Sequence, residues 1–447
     1  MSIQWLLDKM KSFSDKEAII WKTNRYTYKQ LLDRVDYWKT TLRDNGVSGG
    51  QVVAIEGDFS PNACALLMSL VDNGNIIVPL SSTLPAKQKS EFISVAETQV
   101  KYSIDSTDNF KFEALKTKTT NPLIRNLQSI NEPGLILFSS GSTGKNKAAL
   151  HNFTKLLNKY KTTRPAYRTL IFLLFDHIGG INTLFHSLSN GGCLILISER
   201  DPEAVCKAIQ DYQVELLPTS PTFLNLLLMS EQYKYFDLSS LKIISYGTEP
   251  MPESTLKRVH EILPDIRLLQ TYGLSELGIL RSKSRSSDSL WVKIGGEDYQ
   301  TRVVDDILHI KTDMAMLGYL NAPSPFDEEG WFNTEDRVEV DGEYFRILGR
   351  KTDIINVGGQ KVYPAEVESV LLELEGITDV TVTGESNPIL GQIVVARVNL
   401  AKEEKLTDLK KRIRDFCKSR LNPYKIPQKI EIAHDNQYTA RFKRMRR

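Results

Sequence analysis

Short apolar runs recur along the first two thirds of the chain, and most of them end in polar or glycine-rich segments. A strand at 52–56, a helix at 62–71 and a second strand at 76–79 predict a βαβ unit. Alternating strands and helices predict largely parallel sheets, whose ligands bind in the loops at the carboxyl ends of the strands. Further strands are predicted at 135–138, 169–174, 193–197, 214–217, 243–246 and 268–271.

The pattern changes after Gly330, where glycine-rich and charged turns become frequent. The sequence DGEY at 341–344 predicts a hairpin turn. We place a domain boundary near 349–351, which divides the chain into residues 1–349 and 350–447. The basic C-terminal sequence YTARFKRMRR is predicted to be mobile unless a ligand orders it. A small α+β domain is predicted from helices at 364–373 and 406–420 and strands at 378–384, 391–399 and 429–432.

Composition and charge exclude several classes of protein. With 447 residues, the chain exceeds what one hydrophobic core usually organises. Its 57 basic and 55 acidic side chains nearly cancel, which argues against a nucleic-acid binder held by net charge. The 4 cysteines lie far apart, as expected in a reducing cytoplasm. No signal peptide and no apolar run of about 20 residues is present, so we predict a cytoplasmic protein that does not span a membrane. Nothing predicts its oligomeric state.

A glycine- and serine-rich segment follows the predicted strand at 135–138, in the sequence ILFSSGSTGKNKAALHN at 136–152. Consecutive backbone N–H groups and hydroxyls in such a loop can bind phosphate oxygens, because glycine permits a close approach. The spacing does not fit the Walker A pattern GxxxxGK[ST], since Asn146 follows Lys145. An ordinary surface loop is therefore the alternative to a phosphate site.

Three segments together resemble the adenylate-forming superfamily, which includes acyl- and aryl-CoA synthetases, nonribosomal-peptide adenylation domains and firefly luciferase. SSGSTGKNK at 139–147 resembles its phosphate loop, and QTYGLSE at 270–276 is similar to its Tyr-Gly-x-Thr-Glu motif. The segment 330–368 resembles the long motif block of the family. The resemblance implies an α/β fold, with a large N-terminal domain of mainly parallel sheets and helical layers and a small mobile α+β C-terminal domain.

The resemblance implies that ATP, with Mg²⁺, is held by residues of the N-terminal domain. Glu276 would be the metal ligand, Tyr272 would stack near adenine and Ser275 would hydrogen-bond the α-phosphate. A helix N-terminal acid is the alternative for Glu276. The phosphate and adenine contacts implied by the same motifs are Ser139, Ser140, Gly141, Ser142, Thr143, Gly144, Lys147, Gly247, Thr248, Glu249, Thr271 and Gly273.

Asp336 resembles the family aspartate that binds both ribose hydroxyls, and Arg350 would contact ribose or phosphate. Two neighbouring hydroxyl donors suit one carboxylate with two acceptor oxygens. The family has glycine where this chain has Glu335, a departure expected to alter the turn but to leave the Asp336 carboxylate in place. Thr248 likewise occupies a position where glycine is frequent in the family.

Lys443 resembles the C-terminal family lysine that bridges the substrate carboxylate and the α-phosphate. The family usually has Ser-Gly or Thr-Gly before this lysine, whereas this chain has Arg441 and Phe442. A compact ammonium charge suits two approaching anions. The alternative is an unstructured basic tail.

His177 matches a family position that borders the acyl pocket and the nucleophile tunnel, although a core or helix-capping histidine is equally compatible. Asp176 keeps an amino-acid substrate open, because a carboxylate could pair with an ammonium group. The apolar surroundings and the spacing from His177 to 191–192 favour an uncharged acyl group instead. Pocket residues are expected at 175–182, at Tyr246 and at 273–280.

Gly358 and Gly359 resemble the loop that approaches the pantetheine thiol after the small domain rotates, with Thr352 at the hinge position. The resemblance therefore implies activation of a small carboxylic acid to an acyl adenylate, followed by transfer to the thiol of CoA or of an acyl carrier protein's phosphopantetheine. The sequence does not choose between the two acceptors. An adenylating amino-acid or amide-forming synthetase, and a nucleotide-binding protein that has lost catalysis, are the alternatives.

Overall fold

The structure is a computed structural model that describes residues 3–140, 145–296, 298–439 and 441–446. In these ranges no helix is both long and apolar enough to cross a bilayer. The helices, in chain order, are α1 Gln4–Lys11, α2 Tyr28–Asp44, α3 Pro61–Asp72, α4 Ala86–Val95, α5 Pro122–Ser129, α6 Phe153–Leu157, α7 Ile178–Ser189, α8 Pro202–Tyr212, α9 Pro221–Ser230, α10 Glu253–Ile262, α11 Pro364–Leu371 and α12 Leu406–Cys417.

The strands between residues 17 and 270 form parallel runs with antiparallel additions, and those between residues 273 and 294 pair antiparallel. They are β1 Glu17–Trp21, β2 Asn24–Thr27, β3 Val52–Gly57, β4 Ile76–Ser81, β5 Val100–Ile104, β6 Phe110–Ala114, β7 Gly134–Ser140, β8 Asn146–Asn152, β9 Arg168–Ile171, β10 Cys193–Leu196, β11 Leu216–Thr219, β12 Ile243–Tyr246, β13 Arg267–Gln270, β14 Gly273–Leu274, β15 Gly278–Ile279, β16 Ser282–Ser284 and β17 Trp291–Ile294. The remaining strands are β18 Gln300–Val304, β19 Ile307–Lys311, β20 Gly318–Tyr319, β21 Phe332–Asp341, β22 Tyr344–Arg350, β23 Ile355–Val357, β24 Gln360–Val362, β25 Ile377–Asn387, β26 Gly391–Leu400 and β27 Lys429–Ile432.

Two seven-stranded sheets form the framework of the large domain, in the orders β13-β12-β11-β9-β10-β1-β2 and β20-β8-β7-β4-β3-β5-β6. Helices α2, α3 and α7 share one apolar core with strands of both sheets, so they lie between the sheets. This position explains why α3 is apolar on nearly every face, since a helix covered on all sides has no polar stripe. The predicted mainly parallel arrangement is confirmed.

A third sheet, of six antiparallel strands, has the order β16-β17-β22-β21-β19-β18. Its β21–β22 hairpin closes at Gly342, as the DGEY sequence predicts. The hairpin places Asp336 opposite Arg350 in the register of the two strands. A loop replaces the end of the strand predicted at 169–174, because β9 ends at Ile171 and the chain then turns towards α7.

The small C-terminal unit has its own core, built from β23–β27, α11 and α12. Strand β27 covers the residues predicted for it, and the two helices end earlier than predicted. The division into a large and a small domain is confirmed, whereas the boundary at 349–350 stays a prediction.

The prediction of a mobile C-terminal tail is wrong for the described residues. Arg444 is buried, and its guanidinium lies 3.3 Å from Asp379 and 3.7 Å from Glu368. Arg446 contacts Glu368 at 2.7 Å, and Tyr438 pairs with Arg444 across an antiparallel bridge. The basic residues of the tail therefore neutralise carboxylates that the small domain buries, which is why the tail packs.

Removal of the Arg444 charge tests this packing. We expect Arg444→Ala to lower the free energy of unfolding by about 3–5 kcal/mol, because it leaves two buried carboxylates with too little countercharge. Urea unfolding followed by circular dichroism measures the change. Met445→Ala is the matched control, since the neighbouring Met445 is exposed. A variant Arg444→Ala as stable as the control would contradict the assignment.

Candidate active site

A cavity of about 880 Å³ opens where strands of both parallel sheets end, and the C-terminal tail covers part of it. Thr271 follows β13 and Gly247 follows β12, as expected for ligand contacts at the carboxyl ends of parallel strands. The predicted site residues that line this cavity are Ser139, Lys147, His177, Gly247, Thr248, Thr271, Gly273, Ser275, Glu276, Arg350 and Lys443.

Glu276 presents a carboxylate to the cavity and is held in place from one side. The Tyr319 hydroxyl donates to Glu276 Oε1 at 2.7 Å, and the Ser139 hydroxyl donates to the same oxygen at 3.5 Å. Oε2 accepts no hydrogen bond from any residue that the structure describes. Lys147 lies over the Tyr319 ring, 5.1 Å from its centroid. The arrangement fixes one oxygen of the carboxylate and leaves the other available.

The predicted phosphate loop is described only at its first residues. Ser139 lines the cavity, and the backbone of Ser140 ends β7. Gly141, Ser142, Thr143 and Gly144 lie outside the described residues, so their phosphate contacts stay predictions.

Asp336 is buried beside two partners that orient its carboxylate. The Tyr272 hydroxyl donates to Asp336 Oδ2 at 2.6 Å, and Arg350 Nε lies 3.7 Å from Oδ1. Burial raises the pKa of Asp336, against the opposing effects of the Arg350 charge and the Tyr272 hydrogen bond. Tyr272 is itself nearly covered by protein. Its hydroxyl therefore supports Asp336, a contact that the predicted adenine stacking did not anticipate.

Close packing explains Gly247 and Gly273. A Cβ atom on Gly247 would lie 2.6 Å from the Thr271 hydroxyl oxygen, and one on Gly273 would lie 2.7 Å from the Gly278 carbonyl oxygen. The Thr271 hydroxyl donates to the Tyr246 carbonyl at 3.0 Å. These contacts bring the two loops together at one edge of the cavity.

Ser275 is also held through its backbone. The carbonyl of Ser275 accepts a hydrogen bond from His151 Nε2 at 2.6 Å. Sequence reasoning missed both His151 and Tyr319, because their contacts arise between segments more than 40 residues apart. The pairing of β20 with β8 brings Tyr319 to the site.

Three residues that replace family glycines adopt left-handed backbone conformations. Their φ angles are +76° at Thr248, +59° at Glu335 and +49° at Phe442. A side chain at such an angle costs roughly 1–2 kcal/mol relative to the right-handed region. These three positions therefore have backbone conformations that favour glycine, at a cost in strain, and an altered turn at Glu335 stays a prediction.

His177 begins helix α7 as its N-cap. Its Nδ1 accepts a hydrogen bond from the Gly179 amide at 2.9 Å, while its ring lines the cavity. Burial, together with the smaller effects of the Arg441 and Lys443 charges, lowers the pKa of His177 to about 3. The helix-capping role and the position beside the cavity therefore occur together, with a neutral ring.

Lys443 reaches the cavity because the residue before it is anchored. The Phe442 ring lies 5.1 Å from Phe172 and 5.7 Å from Phe223, between centroids, and the Ser220 hydroxyl donates to the Phe442 carbonyl at 2.7 Å. Burial and then the Arg350 charge lower the pKa of Lys443, whereas Glu249 and Asp336 act in the opposite direction. The lysine thus lies among the charged groups of the predicted nucleotide site.

Arg441 and Glu249 connect the tail to the large domain. Arg441 forms an ion pair with Asp176 at 2.7 Å, which gives Oδ2 of Asp176 a cationic partner. Glu249 Oε2 accepts a hydrogen bond from the Arg444 amide at 3.0 Å, and its other oxygen accepts from the Thr222 amide at 2.9 Å. Glu249 therefore binds the tail instead of lining the cavity, and Arg441 pairs with only one oxygen of Asp176.

Gly358 and Gly359 lie away from this cavity. They form the turn between β23 and β24 with φ angles of +56° and +83°. The structure therefore brings Lys443, and not the glycine pair, to Glu276 and Asp336.

Comparison with known proteins identifies the family. The model of AMP-binding enzymes matches residues 6–306, and that of their C-terminal domain matches residues 366–443. An indoleacetate–CoA ligase of Aromatoleum aromaticum is 26% identical, over 95% of this chain and 92% of the relative. The chain belongs to the AMP-binding enzyme family, which confirms the predicted resemblance.

Two solved structures share the fold. The anthranilate CoA ligase AuaEII, in complex with anthranoyl-AMP, has a TM-score of 0.85 at 18% identity and covers 99% of this chain and 95% of its own. The amide bond synthetase McbA from Marinactinospora thermotolerans has a TM-score of 0.78 at 20% identity, with 99% and 97% coverage. Both similarities extend over the large and the small domain.

Buried neutral histidines predict a loss of stability in acid. Burial lowers the pKa of His151 to about 4 and that of His177 to about 3, whereas an unfolded chain titrates near 6.5. Below about pH 6.5 the unfolded state therefore binds more protons than the folded state. The free energy of unfolding, which is highest above this pH, decreases as the pH falls. We expect the free energy of unfolding to decrease by about 2 kcal/mol per histidine between pH 7.5 and pH 5.

Urea unfolding at several pH values measures this dependence. His151→Asn should remove the contribution of one histidine from the pH dependence of the free energy of unfolding. This result is expected whatever the substitution does to the stability at pH 7.5. His434→Asn is the control and should leave the slope unchanged, because His434 is exposed. An unchanged slope in His151→Asn would refute the interpretation.

Proposed function

We propose that the protein activates a small carboxylic acid with ATP and transfers the acyl group to the thiol of CoA, in the cytoplasm. Membership of the AMP-binding enzyme family and the named CoA ligase among its relatives support this activity. The observation that carries the proposal is the common location of Lys443, Glu276 and Arg350 on one cavity, with Asp336 directly behind them. An acyl carrier protein's phosphopantetheine is the alternative acceptor.

Each charged residue of the cavity has a proposed task in the first half-reaction. Asp336 accepts hydrogen bonds from the ribose hydroxyls, and Arg350 contacts ribose or phosphate. Ser139 and Lys147 hold the terminal phosphates, and Ser275 the α-phosphate. A carboxylate oxygen attacks the α-phosphorus, the bond to the bridging oxygen breaks, and pyrophosphate leaves.

Lys443 lowers the barrier to this attack by electrostatic stabilisation. Two anions must approach each other, and a positioned ammonium group between them offsets their repulsion. Its position beside Arg350 and Asp336 supports this role. The neutral His177 ring lies next to it and borders the acid without adding charge.

Glu276 fits a magnesium site. Mg²⁺ binds through one or two carboxylates together with phosphate oxygens and water, and the free Oε2 of this buried carboxylate suits such an ion. In the described part of the chain no cluster of three or more metal-binding side chains occurs, which agrees with a site completed by the nucleotide. When bound, the ion would neutralise charge on the phosphates.

The second half-reaction requires a different orientation of the small domain. The thiolate sulfur attacks the acyl carbon, a thioester forms, and AMP leaves with the electron pair of the broken bond. Gly358 and Gly359 are proposed to line the approach of the thiol after the domain rotates near Thr352. Neither glycine lines the cavity in this structure, which supports the proposal that the thiol step needs such a rotation.

Two alternatives to a CoA ligase would keep the same nucleotide site. The fold similarity to the amide bond synthetase McbA keeps an amine acceptor as the second candidate. Loss of catalysis is a further alternative because Asn146, Thr352 and the pair 441–442 depart from the family pattern.

Pyrophosphate exchange tests the first half-reaction. We expect the protein to exchange labelled pyrophosphate into ATP only in the presence of a suitable acid, in a screen of fatty, hydroxy, aryl and amino acids. Lys443→Ala should reduce this exchange at least about 100-fold, the scale of losing a charged group aimed at the transition state. Lys410→Ala is the control, because Lys410 is an exposed lysine of the same domain. ATP binding without exchange for any acid would favour the inactive alternative.

A glycine substitution separates the two half-reactions. We expect Gly359→Val to leave pyrophosphate exchange unchanged and to slow thioester formation with CoA at least about tenfold, since the side chain would obstruct the thiol. Gly342→Val is the matched control: both glycines have positive φ and no atom within 4 Å of an added Cβ. Equal thioester rates in the two variants would remove the glycine pair from the proposed tunnel.

A further inference from the structure

The cavity continues beyond His177 along one face of helix α7. Ile178, Asn182 and His186 all line it, and their spacing of four residues places them on the same side of the helix. With a rise of about 1.5 Å per residue, Asn182 lies roughly 7.5 Å along the helix from the His177 end. Asn182 and His186 therefore add polar groups to a part of the cavity whose lining also contains apolar side chains.

The side-chain amide of Asn182 has a fixed orientation. Its Oδ1 accepts hydrogen bonds from Lys159 Nζ at 2.6 Å and from the Tyr160 hydroxyl at 2.9 Å. With the amide oxygen facing Lys159 and Tyr160, the amide nitrogen points away from them. No described residue accepts a hydrogen bond from Nδ2. Two N–H donors are thus available to whatever occupies this part of the cavity.

Lys159 stabilises that orientation and adds positive charge behind it. Its Nζ also donates to the Ile279 carbonyl at 2.8 Å, and it forms no ion pair with a carboxylate in the described part of the chain. Burial lowers the pKa of Lys159 to about 7, with a smaller effect from Arg281. Arg281 in turn lies 3.7 Å from Asp298. The buried ammonium therefore lacks a direct anionic partner.

The neighbouring charges have the same sign. Arg164 lines the cavity near His186, and burial, Lys159 and Arg164 together lower the pKa of His186 to about 4. The carboxylates that line the cavity lie towards the nucleotide end, namely Asp176, Glu276 and Glu335. The far end consequently favours an acceptor oxygen, and most of all an anionic one.

We propose that Asn182 is a specificity-determining residue that selects carboxylic acids with a second oxygen acceptor, preferably a carboxylate, about six bonds from the reacting carboxyl group. This inference rests on the proposed acid activation. Lys159 is the positioning residue, because it holds the amide so that its donors face the acid. A distal ammonium group is disfavoured, because it would lie near the positive charges of Lys159 and Arg164.

Matched acids test the inference in pyrophosphate exchange. The straight-chain series is heptanoate, 6-hydroxyhexanoate, heptanedioate and 6-aminohexanoate, and the aryl series is 4-methylbenzoate, 4-hydroxybenzoate and benzene-1,4-dicarboxylate. In the series that the enzyme accepts, we expect kcat/KM for the hydroxyl and carboxylate acids to exceed that of the methyl acid at least about tenfold, because unpaired buried donors penalise the methyl group. The amino acid should be the poorest substrate.

Three variants assign the effect to its residues. Asn182→Leu should abolish the preference or invert it while keeping exchange with the methyl acid, which also shows that the variant is folded. Lys159→Met should reduce the preference for the dicarboxylate more than that for the hydroxy acid. Lys161→Met is the control and should keep wild-type ratios, because Lys161 is exposed nearby.

The outcomes separate this inference from the proposed function. Equal substrate ratios in wild type and Asn182→Leu, or a preference for the methyl acid in wild type, would overturn the specificity role and leave acid activation intact. Exchange only with acids outside both series would do the same. Absence of exchange with every acid would overturn both.

Discussion

The site depends on the contact between the C-terminal tail and the large domain. Glu249 accepts a hydrogen bond from the Arg444 amide on one oxygen and from the Thr222 amide on the other, so a single carboxylate links the tail to helix α9. The Phe442 ring, seated between Phe172 and Phe223, fixes the same turn from its apolar side. Lys443 lies between the two anchored residues, Phe442 and Arg444. These anchors place its ammonium group near Arg350 and Asp336, although Lys443 belongs to no helix or strand.

The carboxylates of Glu276 and Asp336 are each held by a tyrosine. A tyrosine hydroxyl donates to one oxygen of each, Tyr319 to Glu276 and Tyr272 to Asp336. Such a donor holds the carboxylate in place and leaves acceptor positions for a ligand, so part of the ordering cost is met before nucleotide binds. Both tyrosines are covered by the core of the third sheet, which makes that sheet the rigid support of the nucleotide end.

Backbone strain accompanies these anchors. Left-handed conformations at Thr248, Glu335 and Phe442 persist because surrounding contacts determine them: Phe442, for example, has a ring in an aromatic pocket and a carbonyl bound by Ser220. Strain of this kind is retained only where packing overdetermines the conformation. Thr248, Glu335 and Phe442 thus have backbone conformations that favour glycine in spite of their side chains.

The sequence by itself determined the family, the order of strands and helices, and the residue types at the nucleotide end, because motif spacing and alternating apolar runs are local properties. It also predicted that Glu276 and Lys443 act on one ligand, which stays a prediction, and both residues line one cavity. Only the tertiary structure decided which groups support them. The pairing of Asp176 with Arg441, the burial of Arg444 and the direction of the Asn182 amide all depend on contacts between distant segments. Hydrogen-bond and charge partners of this kind follow from packing, which no local pattern encodes.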